Sequence, residues 1–165
     1  MPDEARLVVV NTTPITALSL IGELDLLRIL YGQVLAPSSV EAEVLAGGRG
    51  GIGRTELQEA SWLRIVSLQE PSRADLLADL DRGEAEVIAL AQELSADLVI
   101  IDERLARRHA RRLGLTLTGT LGVLLKAKQL GYVKFVAPLI DRMRRDGIRL
   151  SDEVVAEVLA LAGET

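Results

Sequence analysis

Cysteine is absent from this chain and histidine occurs once, as His109. The first absence excludes disulfides, thiolate metal sites and cysteine nucleophiles. The second leaves little for histidine chemistry: a triad around His109 would need a serine and an acid in register, and no nucleophile motif is present, so His109 reads as a surface residue. No apolar stretch is long enough to cross a bilayer. The opening Met1-Pro2-Asp3-Glu4 has no basic n-region, so the expectation is a cytoplasmic protein without a membrane association. Basic excess is lacking too: the net charge of −5 argues against indiscriminate nucleic-acid binding. The glycine-rich segment 47–53 lacks the Gly-Lys-Ser/Thr ending of a phosphate-cradling loop. It reads as a mobile surface loop from which Arg49 and Arg54 could reach a ligand. Repeats, low-complexity tracts and linkers are missing, so residues 1–165 are expected to form a single domain.

Against these absences stands a clear alternation of strands and helices. Leu7-Val8-Val9-Val10 and Leu98-Val99-Ile100-Ile101 are continuous apolar runs, the pattern of strands buried on both faces of a parallel sheet. Further strands are expected at Gln33 to Ala36, closed by Pro37, at 62–66 and at 115–117. Thr12-Thr13-Pro14 opens a helix, with hydroxyls suited to cap it, and Ser38 and Glu41 have capping-box spacing for a helix reaching Leu45. Other helices are expected over 24–30, 55–61, 73–80, 84–94, 103–113, 119–130, 135–145 and 152–161, the last capped by Ser151. Strands alternating with helices imply an α/β domain whose mainly parallel sheet carries helices on both faces.

Ligands of such sheets gather beyond the carboxyl ends of the strands. Asn11 follows the first apolar strand and Asp102 the second, and each is also suited to cap the turn that follows it. Glu43 lies beside the Val40 and Val44 stripe of its helix, where a carboxylate needs a cation or a proton, for which an arginine partner would serve equally. Glu84 falls on the face of Val87, Ile88 and Ala91, with Glu86, Leu90 and Glu93 on the other side. Its place in a first helical turn also has a purely structural reason in the helix dipole. Asn11 is a weaker ligand than an acid: its amide oxygen can bind a hard divalent cation but contributes no charge and cannot act as a base.

Charge is unevenly divided. Residues 1–100 carry 7 basic and 16 acidic side chains, whereas residues 101–165 carry 12 and 8. Arg104, Arg107, Arg108, Arg111 and Arg112 cover the outer face of one helix, with Leu105, Ala106, Ala110 and Leu113 on the inner one. Such a face can hold phosphates or can simply be solvated.

Five stretches in order resemble the PIN-domain family, in particular the prokaryotic PIN-like branch related to VapC-type toxin ribonucleases. They are Val9-Val10-Asn11-Thr12-Thr13-Pro14-Ile15 with Ala17-Leu18, then Ala36-Pro37-Ser38-Ser39-Val40 through Glu43, and Gly83-Glu84-Ala85-Glu86-Val87-Ile88-Ala89-Leu90-Ala91. Leu98-Val99-Ile100-Ile101-Asp102-Glu103 and Thr118-Gly119-Thr120-Leu121-Gly122-Val123-Leu124 complete the set. The resemblance implies a three-layer fold with sheet order 3-2-1-4-5. It also implies Mg²⁺ or Mn²⁺ held by Asn11, Glu43, Glu84 and Asp102, which would be the catalytic set for cutting single-stranded RNA. Thr12 or Thr13, Thr120 and Arg104 would line the substrate pocket. A toxin role implies a small antitoxin partner, and likeness to the family implies a homodimer, to which residues 135–161 could offer apolar faces, as they could equally to the core. Two features depart from the pattern: asparagine at the first acidic position, and glutamate rather than aspartate at position 84. The alternative reading is therefore a PIN-like module weakened as a catalyst that binds nucleic acid or protein. A generic phosphatase or hydrolase shares the acids but lacks a nucleophile motif.

Overall fold

A computed structural model describes residues 6–47 and 50–165. Its chain runs β1 (Leu7–Val10), α1 (Thr12–Leu20), α2 (Leu26–Tyr31), β2 (Gln33–Pro37), α3 (Ser38–Leu45), α4 (Arg54–Glu59) and β3 (Leu63–Val66). It continues through α5 (Ser72–Asp75), α6 (Arg82–Glu93), β4 (Leu98–Ile100), α7 (Arg104–Arg112), β5 (Leu117–Thr118), α8 (Thr120–Gln129), α9 (Ala137–Arg145) and α10 (Asp152–Leu161). The sheet is ordered β3-β2-β1-β4-β5 and every pairing is parallel. This is the α/β arrangement and strand order that the sequence implied. Val8, Val9, Val10, Val34, Ala36, Val99 and Ile100 are fully buried, which is why these strands show no polar alternation.

Because all strands run the same way, their carboxyl ends share one edge. The order reverses between β1 and β4, whose registers pair Val10 with Ile100, and the crevice of a doubly wound sheet opens at such a reversal. Asn11 extends this pairing by one residue, its N–H donating to the Ile100 carbonyl at 3.0 Å.

Several local expectations are corrected. Pro37 belongs to β2, where it pairs with Val66, and Ser38 is the first helical residue of α3 rather than a cap, so the capping box is not formed. The 73–80 helix shrinks to the single turn of α5. Leu90 is buried like Val87 and Ile88, because α6 is covered by the sheet on one side and by α3, α5 and α7 on others. A helix enclosed in this way carries apolar residues on more than one face. In α7 the buried residues are only Ala106 and Ala110, while Leu105 and Leu113 are exposed. Two alanines one turn apart let α7 pack on α6 and β5 and leave the leucines outside. In the 47–53 segment, Gly48 and Arg49 lie outside the described residues. Arg54 is exposed, and its Nε donates to the Leu45 carbonyl at 3.0 Å.

The C-terminal helices are tied together by Glu164, whose side chain is 7% exposed. One oxygen accepts from Lys128 Nζ at 2.7 Å and from the Val136 N–H at 2.8 Å; the other accepts from the Ala137 N–H at 3.0 Å. Desolvation pushes this carboxyl up, but the hydrogen bonds and the Lys128 charge outweigh it and hold the group below its ordinary value. Glu164→Ala is expected to cost about 1–3 kcal/mol by leaving backbone donors at the start of α9 unpaired, read as a lower midpoint in urea unfolding. Because the folded-state value is depressed, the contribution is present above the usual carboxylate range and fades as pH falls through it. The gap between wild type and variant should therefore narrow in acid.

Candidate metal and nucleic-acid site at the sheet edge

Four segments bring polar side chains to the crevice, and each does so for a local reason. Asn11 is the residue between β1 and α1; its backbone is extended and its side chain caps nothing. It is buried to 4% exposure, and the amide has no hydrogen-bond partner among the described residues. Thr12, the first helical residue, directs its hydroxyl across to α3 and donates to Glu43 Oε2 at 2.9 Å. The threonine that seemed suited to cap its own helix is instead a cross-link between α1 and α3. Glu43 is exposed and, among the described residues, is in no ion pair.

Glu84 stands in the first turn of α6, behind Asp81, whose Oδ1 accepts the Glu84 N–H at 2.8 Å as an N-cap. Desolvation first pushes the Glu84 carboxyl up to about 8, followed by a hydrogen bond with the Asp81 carboxyl and the charges of Asp81, Glu103 and Glu43. Those three acids therefore share a neighbourhood with Glu84. Gly83 lies at its centre: a methyl group there would stand 3.0 Å from Glu43 Oε2, 3.7 Å from Asp81 Oδ1 and 3.8 Å from Asn11 Oδ1.

Asp102 is placed differently. It does not cap the helix that follows it, since Glu103 is the N-cap of α7. Its carboxylate spans to α8, accepting from the Thr120 N–H at 2.8 Å and from the Thr120 hydroxyl at 2.6 Å. An orphan donor of the first turn of α8 is thus satisfied by a side chain from β4's end, and Thr120 is fully buried. Gly119 keeps the passage open, as a methyl group there would lie 2.5 Å from Asp102 Oδ1 and 3.1 Å from Arg107 Nη1.

Arg107 was expected on the outer face with the other arginines; it is half-buried and donates to the Ile101 carbonyl at 2.8 Å. Desolvation, and then repulsion from Arg111, lower its pKa against the attraction of Asp102. Arg104, Arg108, Arg111 and Arg112 are exposed, and among the described residues none forms an ion pair. His109 does not stand free on that surface; its Nε2 lies 2.9 Å from Asp79 Oδ2. Thr13 is half-buried beside Thr12.

Asn11, Glu43 and Glu84 are thus drawn to the start of α6, while Asp102 is held at the start of α8. Sequence reasoning missed Asp81, Glu103 and the inward turn of Arg107. Asp81 had a signal, since an aspartate three residues before Glu84 has capping-box spacing.

The donor set fits a hard divalent cation: carboxylate and amide oxygens, an excess of negative charge, an Asn11 Oδ1 that faces the Gly83 hollow, and no arginine or lysine within ion-pair distance of Glu43, Glu84 or Asp102 among the described residues. Among those residues no three carboxylate or imidazole groups already stand in ligating geometry.

The PIN-domain family profile matches residues 7–164, and the chain belongs to that family. PIN domains have a nuclease-type fold, are typically metal-dependent hydrolases and generally use divalent metals. No curated protein matches the sequence. Among the described residues no helix is long and apolar enough to cross a membrane.

Crowding of like charge around Glu84 has a measurable consequence. A carboxyl raised in the folded state weakens folding as pH rises from its ordinary range through about 8. In metal-free buffer, wild type should lose thermal stability across that window, and Glu84→Gln should flatten the loss; parallel pH profiles of melting temperature would contradict the assignment.

Proposed function

We propose that this protein is a divalent-metal-dependent endoribonuclease acting on single-stranded RNA, the toxin of a type II toxin–antitoxin pair. The observation that carries the reading is the uncompensated oxygen cluster at the β1/β4 reversal, with the exposed arginines of α7 beside it. Glu43, Glu84, Asp102 and the Asn11 amide would hold Mg²⁺ or Mn²⁺. A bound ion of this kind supplies an activated water and stabilises the leaving oxygen of a phosphodiester. The chain's own residues do the rest. Thr12 fixes the Glu43 carboxylate, and Thr120 fixes Asp102 through both of its oxygens. Arg104 and its neighbours on α7 offset phosphate charge along the approach. Thr12 and Thr13, both half-buried, would border the pocket, whereas Thr120 is fully buried and acts only through Asp102. A small antitoxin would act by covering this edge, and a homodimer is the expected assembly.

A second reading has its own support. Asn11 contributes no charge, and no three acids are preassembled among the described residues. Both features favour a PIN-like module that binds nucleic acid or protein with little cutting.

Two variants separate the readings. With Mn²⁺ and single-stranded RNA, wild type should cleave and Asp102→Asn should fall by at least about tenfold, the scale of disturbing a metal site. Equal cleavage by both, or none by either across several RNAs, would remove the enzyme. Asn11→Asp should then raise both metal affinity and cutting if the native site is weakened, whereas unchanged rates favour an enzyme that works with the amide.

A further inference from the structure

The set of ligands described above takes Glu84 as the acid of α6. The geometry around Gly83 points to another. Three oxygens from three separate chain segments face the space that a side chain at position 83 would fill: Glu43 Oε2 from α3, Asn11 Oδ1 from the β1–α1 junction and Asp81 Oδ1 from the cap of α6. Asn11 supplies the independent sign that something belongs there, because it is buried, polar and without a partner among the described residues. Gly83 is itself buried, so the hollow is walled by backbone rather than open along its floor.

We propose that Asp81 is a cation ligand, sharing with Asn11 and Glu43 a divalent ion seated over Gly83. The inference rests on the metal-dependent reading of the site and deepens it. An aspartate carboxylate has lone pairs enough for both tasks: Oδ1 accepts one backbone N–H, and ionised carboxylates accept several partners. Gly83 is then required for lack of bulk, since a methyl group at 3.0 Å from Glu43 Oε2 would occupy the ion's place.

The competing account is that Asp81 only caps α6. Asparagine caps a helix about as well as aspartate, so Asp81→Asn removes the charge and keeps the cap. Mn²⁺ binding to the full chain, read by calorimetry or by the electron paramagnetic resonance of free Mn²⁺, separates the two. Wild type is expected to bind, and Glu43→Gln and Asp81→Asn each to lose at least about tenfold in affinity, the scale of disturbing a metal site. Metal-free Asp81→Asn should melt no lower than wild type, since the cap is kept and a negative charge beside Glu84 is removed. Gly83→Ala, which favours the helix, should lose Mn²⁺ binding as well. If Asp81→Asn binds as wild type does while Glu43→Gln does not, Asp81 is a cap alone and the metal site stands without it. If wild type binds no Mn²⁺, the metal-dependent reading falls and this inference with it.

Discussion

The site depends on one backbone contact, the hydrogen bond from the Asn11 N–H to the Ile100 carbonyl. It closes the β1–β4 pairing at the reversal in strand order and so fixes how far apart the segments leaving the two strands emerge. Asn11 on one side and Asp102 on the other inherit that separation. Parallel strands make this possible, because they deliver every strand-to-helix junction to the same edge. The side chains there are then fastened across segments rather than along them. Thr12 holds Glu43, and Thr120 holds Asp102, residues 31 and 18 apart in sequence.

Negative charge gathered in this way opposes folding, and the fold meets the cost unevenly. Glu43 is left in solvent, Asp102 is given two hydrogen bonds, and Glu84 is left to hold its proton. The helix N-terminus behind Glu84 favours the charged form, yet burial and three neighbouring acids prevail. An environment that disfavours ionised oxygens without supplying cations is what a divalent ion or a proton relieves. Arg107 attracts Asp102 from nearby while donating to the Ile101 carbonyl, and the hydrogen bonds to the carboxylate come from Thr120.

The large features were legible in the sequence for physical reasons. Val8 to Val10 and Leu98 to Ile100 are buried on both faces, so their apolar runs were uninterrupted, and the strand order came with the family resemblance. What escaped notice depended on neighbours distant in sequence. The outward leucines of α7, the inward Arg107 and the burial of α6 on more than one face are set by which elements press on a helix, not by its own periodicity. Ser38 and Glu41 had the right spacing for a capping box, but β2 ran one residue further, to pair Pro37 with Val66, and took the cap position away. Asp81 has capping spacing to Glu84, but its place with Glu43 and Asn11 around Gly83 depends on a missing side chain, which no periodicity displays.

Glu164 gives the far end of the chain a part in this. Its carboxylate grips Lys128 on α8 and the start of α9, and α8 begins with Thr120, the residue that orients Asp102. The closing turn is therefore less a tail than a latch: loosening it frees the helix on which the crevice leans. The same helix thus carries a fastening at each end, one to the closing turn and one to the crevice.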